Sequence, residues 1–269
     1  MFNDLLESQR FCTVRLSEVF RQAKESLIVT NAHAVNRGDM PIVSVKDNDF
    51  FFLPRQSDRE IASTVVELYR DRLPRAYGEA THRGIQVIAP SRKGEAGTEQ
   101  LNRLLQAGLN PPAQNKKEYR FRDTVFREGD RVMQIRNNYD MEWSTETEIG
   151  SGVFNGDIGV IQRIDAGNNE LAVSFDGRVA MYDLSMLDEL EHAWAVTVHK
   201  SQGSEYPFVI IPLYASSPLL LNRNLFYTAI TRAKRMVILV GREDVIATMV
   251  EREYPSMRYT GLCRRLKKE

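Results

Sequence analysis

The stretch Ala193-Trp-Ala-Val-Thr-Val-His-Lys-Ser-Gln-Gly-Ser-Glu-Tyr-Pro-Phe-Val-Ile-Ile-Pro-Leu213 carries most of the information about the fold. Apolar runs at 193–198 and 208–213 predict two buried β-strands with a polar loop between them. Polar loops at the carboxyl ends of parallel strands bind ligands in open α/β sheets. Gly203 allows the backbone to approach such a ligand closely. The loop 197–206 is therefore the first candidate site.

Strands alternate with helices on the amino-terminal side of this stretch. Ser57 followed by Glu60 predicts a capping box at one helix start. Pro74 is predicted to end that helix, and Thr98 to cap the next one. The predicted order is strand 13–16, helix 22–37, strand 50–53, helix 57–74, strand 84–89 and helix 98–108. This alternation favours a parallel sheet covered by helices on both faces.

The pattern changes in the middle of the chain. Residues 110–122 are polar, contain two prolines and are predicted to form a linker. Short strands without a helical pattern then follow, at 130–136, 157–164, 171–175 and 178–182. Asp176-Gly177 is a typical hairpin turn between the last two. These strands predict a small barrel inserted into the α/β domain.

The α/β pattern returns after residue 192. Residues 217–234 are predicted to form a helix, followed by a strand at 235–240 and a helix at 242–253. The block Leu225-Phe-Tyr-Thr-Ala-Ile-Thr-Arg-Ala-Lys234 places Thr228, Thr231 and Arg232 on one helix face. Arg232 there is either a solvated charge or a side chain that stabilises a transferring phosphoryl group.

A second arginine stands near the start of the chain, in Leu16-Ser-Glu-Val-Phe-Arg-Gln-Ala23. Arg21 has a planar guanidinium that binds two phosphate oxygens at once, and Phe20 can stack on a base. An aromatic-arginine pair at a junction between strand and helix is more commonly structural, so this block alone is a weak signal.

Composition limits the class of protein without choosing the function. The 269 residues include 42% hydrophobic and 27% charged residues, which is typical of a soluble globular protein. Neither a membrane-spanning run nor a secretory signal is present, and two cysteines cannot make a disulfide framework, so a cytoplasmic location is expected. The formal net charge is zero, which is compatible with a local basic groove for nucleic acid.

The three blocks together resemble motifs IV, V and VI of superfamily-1 helicases, in that order. Thr197, His199, Gly203 and Glu205 match motif V, and Tyr227, Thr231, Arg232 and Ala233 match motif VI. The resemblance is strongest to the RecD-like branch. It rests on Phe20–Ala23, Asn31–Gly38, Val87-Ile-Ala-Pro90, Gly97-Thr-Glu-Gln-Leu-Asn102 and Phe154-Asn-Gly-Asp-Ile-Gly159.

This resemblance implies a second RecA-like motor domain of the P-loop-NTPase type, formed by residues 1–121 and 192–269. The insert 122–191 would be a Src-homology-3-like barrel. Arg21 and Arg232 would act on the γ-phosphate of ATP, with Phe20, Gly203 and Glu205 completing the nucleotide site and Glu205 contacting the ribose. Single-stranded DNA would contact Pro90, Lys93, Thr98, Thr197, His199 and Lys200.

The resemblance also indicates what this sequence lacks. A phosphate-cradling G-x-x-x-x-G-K-[ST] loop is missing, since none of the 16 glycines is followed by lysine. We therefore expect a carboxyl-terminal fragment of a helicase that moves 5′ to 3′ and acts in DNA repair or recombination. It would be inactive alone, and would bind ATP and Mg²⁺ jointly with the amino-terminal RecA-like domain of the same protein.

Three alternatives remain open at this stage. The chain is a non-catalytic module for single-stranded nucleic acid, a fragment of a conjugative relaxase-type helicase, or an unrelated α/β protein in which the three blocks only pack. Partner subunits and an accompanying nuclease cannot be read from the sequence, and no membrane partner is expected.

Overall fold

The computed structural model describes residues 2–14, 26–45, 48–253 and 260–267, and it contains two main sheets. The strands are β1 (Phe50–Pro54), β2 (Ile85–Ala89), β3 (Glu118–Phe121), β4 (Thr124–Arg127), β5 (Arg131–Gln134), β6 (Asn138–Ser144), β7 (Ile149–Val153), β8 (Ile158–Asp165), β9 (Glu170–Phe175), β10 (Arg178–Asp183), β11 (Leu190–His192), β12 (Ala195–Thr197), β13 (Tyr206–Leu213) and β14 (Ala233–Gly241). The helices are α1 (Phe2–Ser8), α2 (Leu27–Arg37), α3 (Asp58–Glu67), α4 (Leu73–Tyr77), α5 (Thr98–Leu109), α6 (Arg223–Ile230), α7 (Glu243–Glu251) and α8 (Leu262–Lys267).

The first sheet is parallel and has the strand order β1-β14-β13-β2-β12. The apolar run of β13 explains its central place, because its alternate side chains enter the cores on opposite faces. Val209 and Ile211 pack in the core that includes α2, α6 and α7, whereas Phe208 and Ile210 pack in the core that includes α3 and α5. The predicted α/β fold with helices on both faces is confirmed.

The second sheet has seven strands in the order β11-β5-β8-β9-β10-β6-β7. It encloses a core of its own, in which the hydroxyl of Tyr182 donates to Oε1 of Gln134 at 2.8 Å. We call this unit the barrel. The four predicted strands are present, and β6, β7 and β11 are additional. The predicted linker is wrong at its end, because 118–121 pairs with 124–127 as a hairpin.

The barrel is joined to the first sheet by buried polar contacts. Asp130, which has no exposed surface, accepts from the backbone N–H of Arg127 at 2.7 Å and from the side chains of Asn110 at 2.7 Å and Gln106 at 2.6 Å. Nε2 of His192 lies 3.1 Å from the same carboxylate. Nη1 of Arg131 donates to the carbonyl of Ile85, at the start of β2, at 2.9 Å. Because unpaired buried polar groups are costly, these contacts fix how the barrel meets the sheet.

Of the two predicted helix N-caps, Ser57 is confirmed and Thr98 is not. The capping box at α3 is confirmed, since Oγ of Ser57 accepts from the N–H of Glu60 and the carboxylate of Glu60 accepts from the N–H of Ser57. The cap predicted at Thr98 is wrong. The N-cap of α5 is Gly97, and Thr98 is the first helical residue, with its side chain buried. A Cβ on Gly97 would lie 2.5 Å from the carbonyl oxygen of Arg92, so the close loop requires glycine at that position.

Pro74 does not end the third helix as predicted. The helix continues through a π-helical turn, Leu68–Arg72, into α4 and ends at Gly78. Proline has no N–H to donate, and the wider π turn removes the normal bonding pattern just before it, so the proline is accommodated near the start of α4.

The long helix predicted at 217–234 is also wrong. A short 3-10 turn, Pro218–Leu220, precedes α6, and the side chain of Asn222 caps α6 by accepting from the N–H of Leu225 at 2.9 Å. The helix ends at Thr231, and β14 begins at Ala233. Arg232 therefore lies in the turn between helix and strand. The cap at Asn222 and the early start of β14 shorten the helix at both ends.

The amino-terminal predictions are tested only in part. Residues 27–37 of the predicted helix 22–37 are helical, and residues 22–25 lie outside the described residues. Thr13 and Val14 have no regular structure, so the strand predicted at 13–16 is not present in its described part. Asn31 is fully buried and bonds through its side chain to both backbone groups of Ile42, which gives it a structural role.

Candidate functional site at two edges of one sheet

The segment from Thr197 to Tyr206 runs from one edge of the parallel sheet to the other. Val87 of β2 is level with Ala195 on one side and with Ile210 on the other. Thr197 therefore lies two residues beyond this level, and Tyr206 four residues before it. At about 3.3 Å per residue, the two ends are separated by roughly 20 Å along the strands.

Turns fill this segment between the two strands. Residues 198–203 form consecutive turns. Ser201 is fully buried, and its Oγ donates to the carbonyl of Val198 at 2.8 Å. Its backbone N–H donates to the carbonyl of Thr197 at 3.1 Å. The polar segment was predicted to form one ligand-binding loop. Its first residues lie at the carboxyl edge, where the parallel strands end, and its last residues lie at the amino edge, where they begin.

The carboxyl edge brings together several of the predicted DNA-contacting residues. Thr98, Thr197 and Lys200 line one small cavity of about 20 Å³ with Arg92. The Nζ of Lys200 lies 2.6 Å from a carboxylate oxygen of Glu191, which belongs to strand β11 of the barrel. One carboxylate from the insert thus contacts a cation on the carboxyl edge of the sheet.

Glu191 contacts a second cation in the same place. Nη2 of Arg92 lies 3.5 Å from it, and Nε of Arg92 lies 3.4 Å from Glu99 of α5. Sequence reasoning missed both Arg92 and Glu191 as parts of this site. Arg92 lies two residues after Pro90, which ends a matched segment, but nothing local links it to a residue 99 positions away.

The other predicted DNA-contacting residues are near this edge in different settings. Lys93 is exposed in the turn after β2, whereas Pro90 is buried, which removes its side chain from direct contact with a strand. His199 is exposed and lines a separate cavity of about 220 Å³ with Gln202 and Thr228. His199 therefore does not share the cavity that Thr197 and Lys200 line.

Arg232 lies at the amino edge of the sheet, which is the end at which the parallel strands begin. Its Nη1 donates to the carbonyl of Ser204 at 3.2 Å, and its Nε donates to the carbonyl of Thr228 at 3.2 Å. The backbone carbonyl of Arg232 accepts from the N–H of Tyr206 at 2.8 Å. The end of the motif V segment and the arginine of motif VI are therefore in direct contact.

Glu205 and Gly203 lie beside this arginine. Glu205 forms an ion pair of 2.8 Å with Lys234. The hydrogen bond from Lys234, its charge and the charge of Arg232 hold the pKa of Glu205 below its ordinary value. Gly203 has a φ of +85° and open space where a side chain would lie. This edge has exposed cationic groups and an accessible backbone, which suit an anionic ligand such as a nucleotide phosphate.

Two predicted site residues cannot be placed, and the described residues form no metal-binding cluster. Phe20 and Arg21 lie outside the described residues. In the described part of the chain, no group of three or more His, Cys, Asp or Glu side chains could hold a metal ion. At the amino edge, the carboxylate of Glu205 is already paired with Lys234, so this edge offers a phosphate partner but not a set of ligands for Mg²⁺. In the same described ranges, no helix is long and apolar enough to cross a membrane.

Comparison with known proteins finds similarity to DNA helicases. A family model described as the ATP-dependent RecD-like DNA helicase SH3 domain matches residues 101–175, and the UvrD-like helicase C-terminal domain model matches residues 192–240. The chain is 32% identical over 258 residues to the ATP-dependent RecD2 DNA helicase of Deinococcus radiodurans, covering 95% of the chain and 32% of that relative. It is 37% identical over 123 residues to the RecBCD enzyme subunit RecD of Mycolicibacterium smegmatis, covering 46% of the chain and 21% of that relative.

Among solved structures, the Pif1 helicase from Bacteroides in complex with ADP-AlF3 and ssDNA aligns with a TM-score of 0.49 at 18% identity, covering 90% of this chain and 54% of that one. The chain spans about a third or less of the length of the two curated relatives.

Proposed function

We propose that this chain, a relative of the RecD-like superfamily-1 DNA helicases, forms the second RecA-like motor domain of an ATP-dependent DNA helicase, with the barrel as its Src-homology-3-like insert. One observation carries the proposal. A single segment, 197–206, connects the carboxyl edge, where Lys200 and Arg92 lie, to the amino edge, where Arg232 contacts Ser204 next to Glu205. A motor must couple two ligands, and this segment contacts both proposed sites.

The amino edge is the proposed nucleotide side. Arg232 would contact the γ-phosphate, joined by Arg21, while Phe20, Gly203 and Glu205 would complete the site around the base and ribose. Arginine suits this role because its charge is fixed and its donors match phosphate oxygens in pairs. Bound ATP with Mg²⁺ supplies the phosphoryl group. This chain would orient that group and neutralise its developing charge.

The carboxyl edge is the proposed DNA side. Lys200 and Thr197 line a cavity whose wall includes the buried Thr98, and Lys93 and His199 are exposed in the loops that follow β2 and β12. Cationic and hydroxyl side chains contact the phosphates and sugars of a strand without reading its sequence. Movement from 5′ to 3′ along single strands, and a role in repair or recombination, are part of the proposal because the sequence motifs resemble those of the RecD-like branch.

Hydrolysis would depend on another RecA-like domain, the amino-terminal one, in addition to this chain. The sequence has no phosphate-cradling loop with its lysine, and the residues described at the amino edge offer no ligand set for Mg²⁺. The amino-terminal motor domain of the same protein would supply both. The 269-residue chain alone is therefore proposed to bind single-stranded DNA weakly and to hydrolyse no ATP.

The test is to measure ATP hydrolysis and DNA binding by the purified chain. We expect no turnover with or without single-stranded DNA. We also expect binding that weakens steeply with salt, because each phosphate contact to a single strand adds about 0.7 to the slope of log K against log salt. Turnover that persists through repeated purification would contradict the dependence on a second domain. Binding that is indifferent to salt would contradict the carboxyl-edge site.

A further inference from the structure

Two aromatic rings are exposed on the barrel. The side chain of Tyr139 in β6 is 67% exposed, and Phe154, which follows β7, is 41% exposed. Their ring centroids lie 5.6 Å apart at an angle of 72°, an edge-to-face arrangement. Such a contact uses the face of only one ring, so aromatic surface remains open to a ligand.

The backbone holds Phe154 in this position. Gly152 has a φ of +99°, and a Cβ at that residue would lie 2.8 Å from the Cζ atom of the Phe154 ring, so the ring rests directly on the glycine backbone. The N–H of Phe154 donates to the carboxylate of Asp157 at 3.0 Å, which closes the turn behind the ring. The ring is therefore positioned before any ligand arrives.

Asn137 links the two rings. Its amide Nδ2 lies 3.5 Å from the hydroxyl of Tyr139, at the outer limit of a hydrogen bond, and its Oδ1 accepts from the N–H of Asn155 at 2.9 Å. Next to it, Arg136 has a side chain that is 60% exposed and pairs with Asp188 at 3.0 Å. Two aromatic rings and the amide of Asn137 are thus grouped on one exposed surface.

We propose that Tyr139 and Phe154 form a platform on which bases of single-stranded DNA stack. This inference rests on the proposed function and extends it from the sheet to named residues of the barrel. Every base has a π-face, so stacking is independent of sequence, and the bases of a duplex are already stacked on each other. The platform therefore favours single strands.

The platform is within reach of the carboxyl edge. Met133 of β5 lines the cavity shared by Thr197 and Lys200. Tyr139 is six residues further along, which is at most about 20 Å of extended chain. A strand bound by its phosphates at Lys200 therefore reaches the two rings within a few nucleotides.

The experiment measures binding of the 269-residue chain to a labelled 15-nucleotide oligothymidylate and to an abasic strand of equal length and charge. We expect Phe154→Ala and Tyr139→Ala each to weaken binding of oligothymidylate by between about fivefold and a hundredfold. Binding of the abasic strand should stay within twofold. Ile149→Ala is the matched control, because Ile149 is 84% exposed on the neighbouring strand β7 and lies outside the pair.

Phe154→Leu and fluorescence of a 2-aminopurine strand separate stacking from a folding defect. The leucine retains apolar contact with Gly152, yet should lose the quenching of 2-aminopurine that stacking on the wild-type ring produces. If the aromatic variants bind oligothymidylate like wild type while Lys200→Ala weakens both strands, the platform is wrong and the carboxyl-edge site stands. If the wild-type chain binds neither strand at low salt, the platform and the DNA part of the proposed function both fail.

Discussion

The two edges of the parallel sheet hold their charged side chains in different ways. At the amino edge, Arg232 and Glu205 are held by neighbours from the same two motifs, namely Ser204, Thr228 and Lys234. At the carboxyl edge, Lys200 is held by Glu191, which belongs to the inserted barrel.

This difference separates what is intrinsic to the motor domain from what the insert controls. The geometry of the amino edge depends on short contacts between the ends of β13, β14 and α6. The geometry of the carboxyl edge depends also on where the barrel sits. Loss of the Glu191 contacts should therefore alter the ion pairs of the proposed DNA site. The barrel also reaches the amino edge, because Asp157 and Gly159 line a cavity of about 1000 Å³ with Ser204 and Glu205.

The largest effect is expected from Arg232→Ala in the intact helicase. Loss of an arginine that stabilises the transferring phosphoryl group should lower ATP turnover at saturating DNA by about 10³-fold or more, with single-strand binding nearly unchanged. Arg232→Lys should not restore full turnover, because a point charge cannot reproduce the paired donors of the guanidinium.

Arg163→Ala is the control for this experiment, since Arg163 is an exposed, ion-paired arginine of the barrel. Equal thermal midpoints of the variants would exclude a folding defect. Near-normal turnover in Arg232→Ala would remove the motif VI assignment and, with it, the functional contrast between the two edges.

An intermediate effect of opposite sign is expected from Glu191→Gln in the 269-residue chain. Breaking the two ion pairs frees Lys200 for DNA phosphates and leaves Arg92 paired with Glu99 alone. Surface ion pairs are worth up to about 1 kcal/mol. Single-strand affinity at low salt should rise by about two- to fivefold in a fluorescence anisotropy titration. Glu170→Gln makes the same change in net charge elsewhere on the barrel, beside Arg163. Equal affinity gains in both variants would show a general charge effect instead.

The smallest effect concerns the amino edge and its pH dependence. The pKa of Glu205 is lowered chiefly by Lys234, so the stabilising pair is present above the ordinary carboxyl pKa and is lost as pH falls through the lowered value. Lys234→Ala should raise the pKa of Glu205 towards its ordinary value, which a carbon-detected NMR titration of the side-chain carboxyl measures. An unchanged pKa would mean that other groups hold this carboxylate.

Features set by neighbours in sequence could be predicted from the sequence. The capping box of Ser57 and Glu60 and the buried strand β13 follow from local chemistry and apolar pattern, and both are confirmed. Arg232 was predicted to lie on a helix, but it lies in the turn between α6 and β14. The apolar residues in 225–230 and 236–240 do not mark where the helix ends and the strand begins.

Features set by strand register could not be predicted in the same way. The contact of Glu191 with Arg92 joins residues 99 positions apart, and it exists because β11 lies beside the loop after β2. The separation of Thr197 from Glu205 likewise depends on how β12 and β13 align on β2, for which the sequence carries no local signal. Phe20 and Arg21 remain predictions.

The turns of residues 198–203 leave the chain between Thr197 and Tyr206 little slack. Turns advance only about 1.5–2 Å per residue, so six residues of turn and the short extended remainder are just long enough for a span of roughly 20 Å. The segment therefore has little spare length, and the hydrogen bonds of the buried Ser201 hold its turns together. A shift at one end must move the other end or break those bonds.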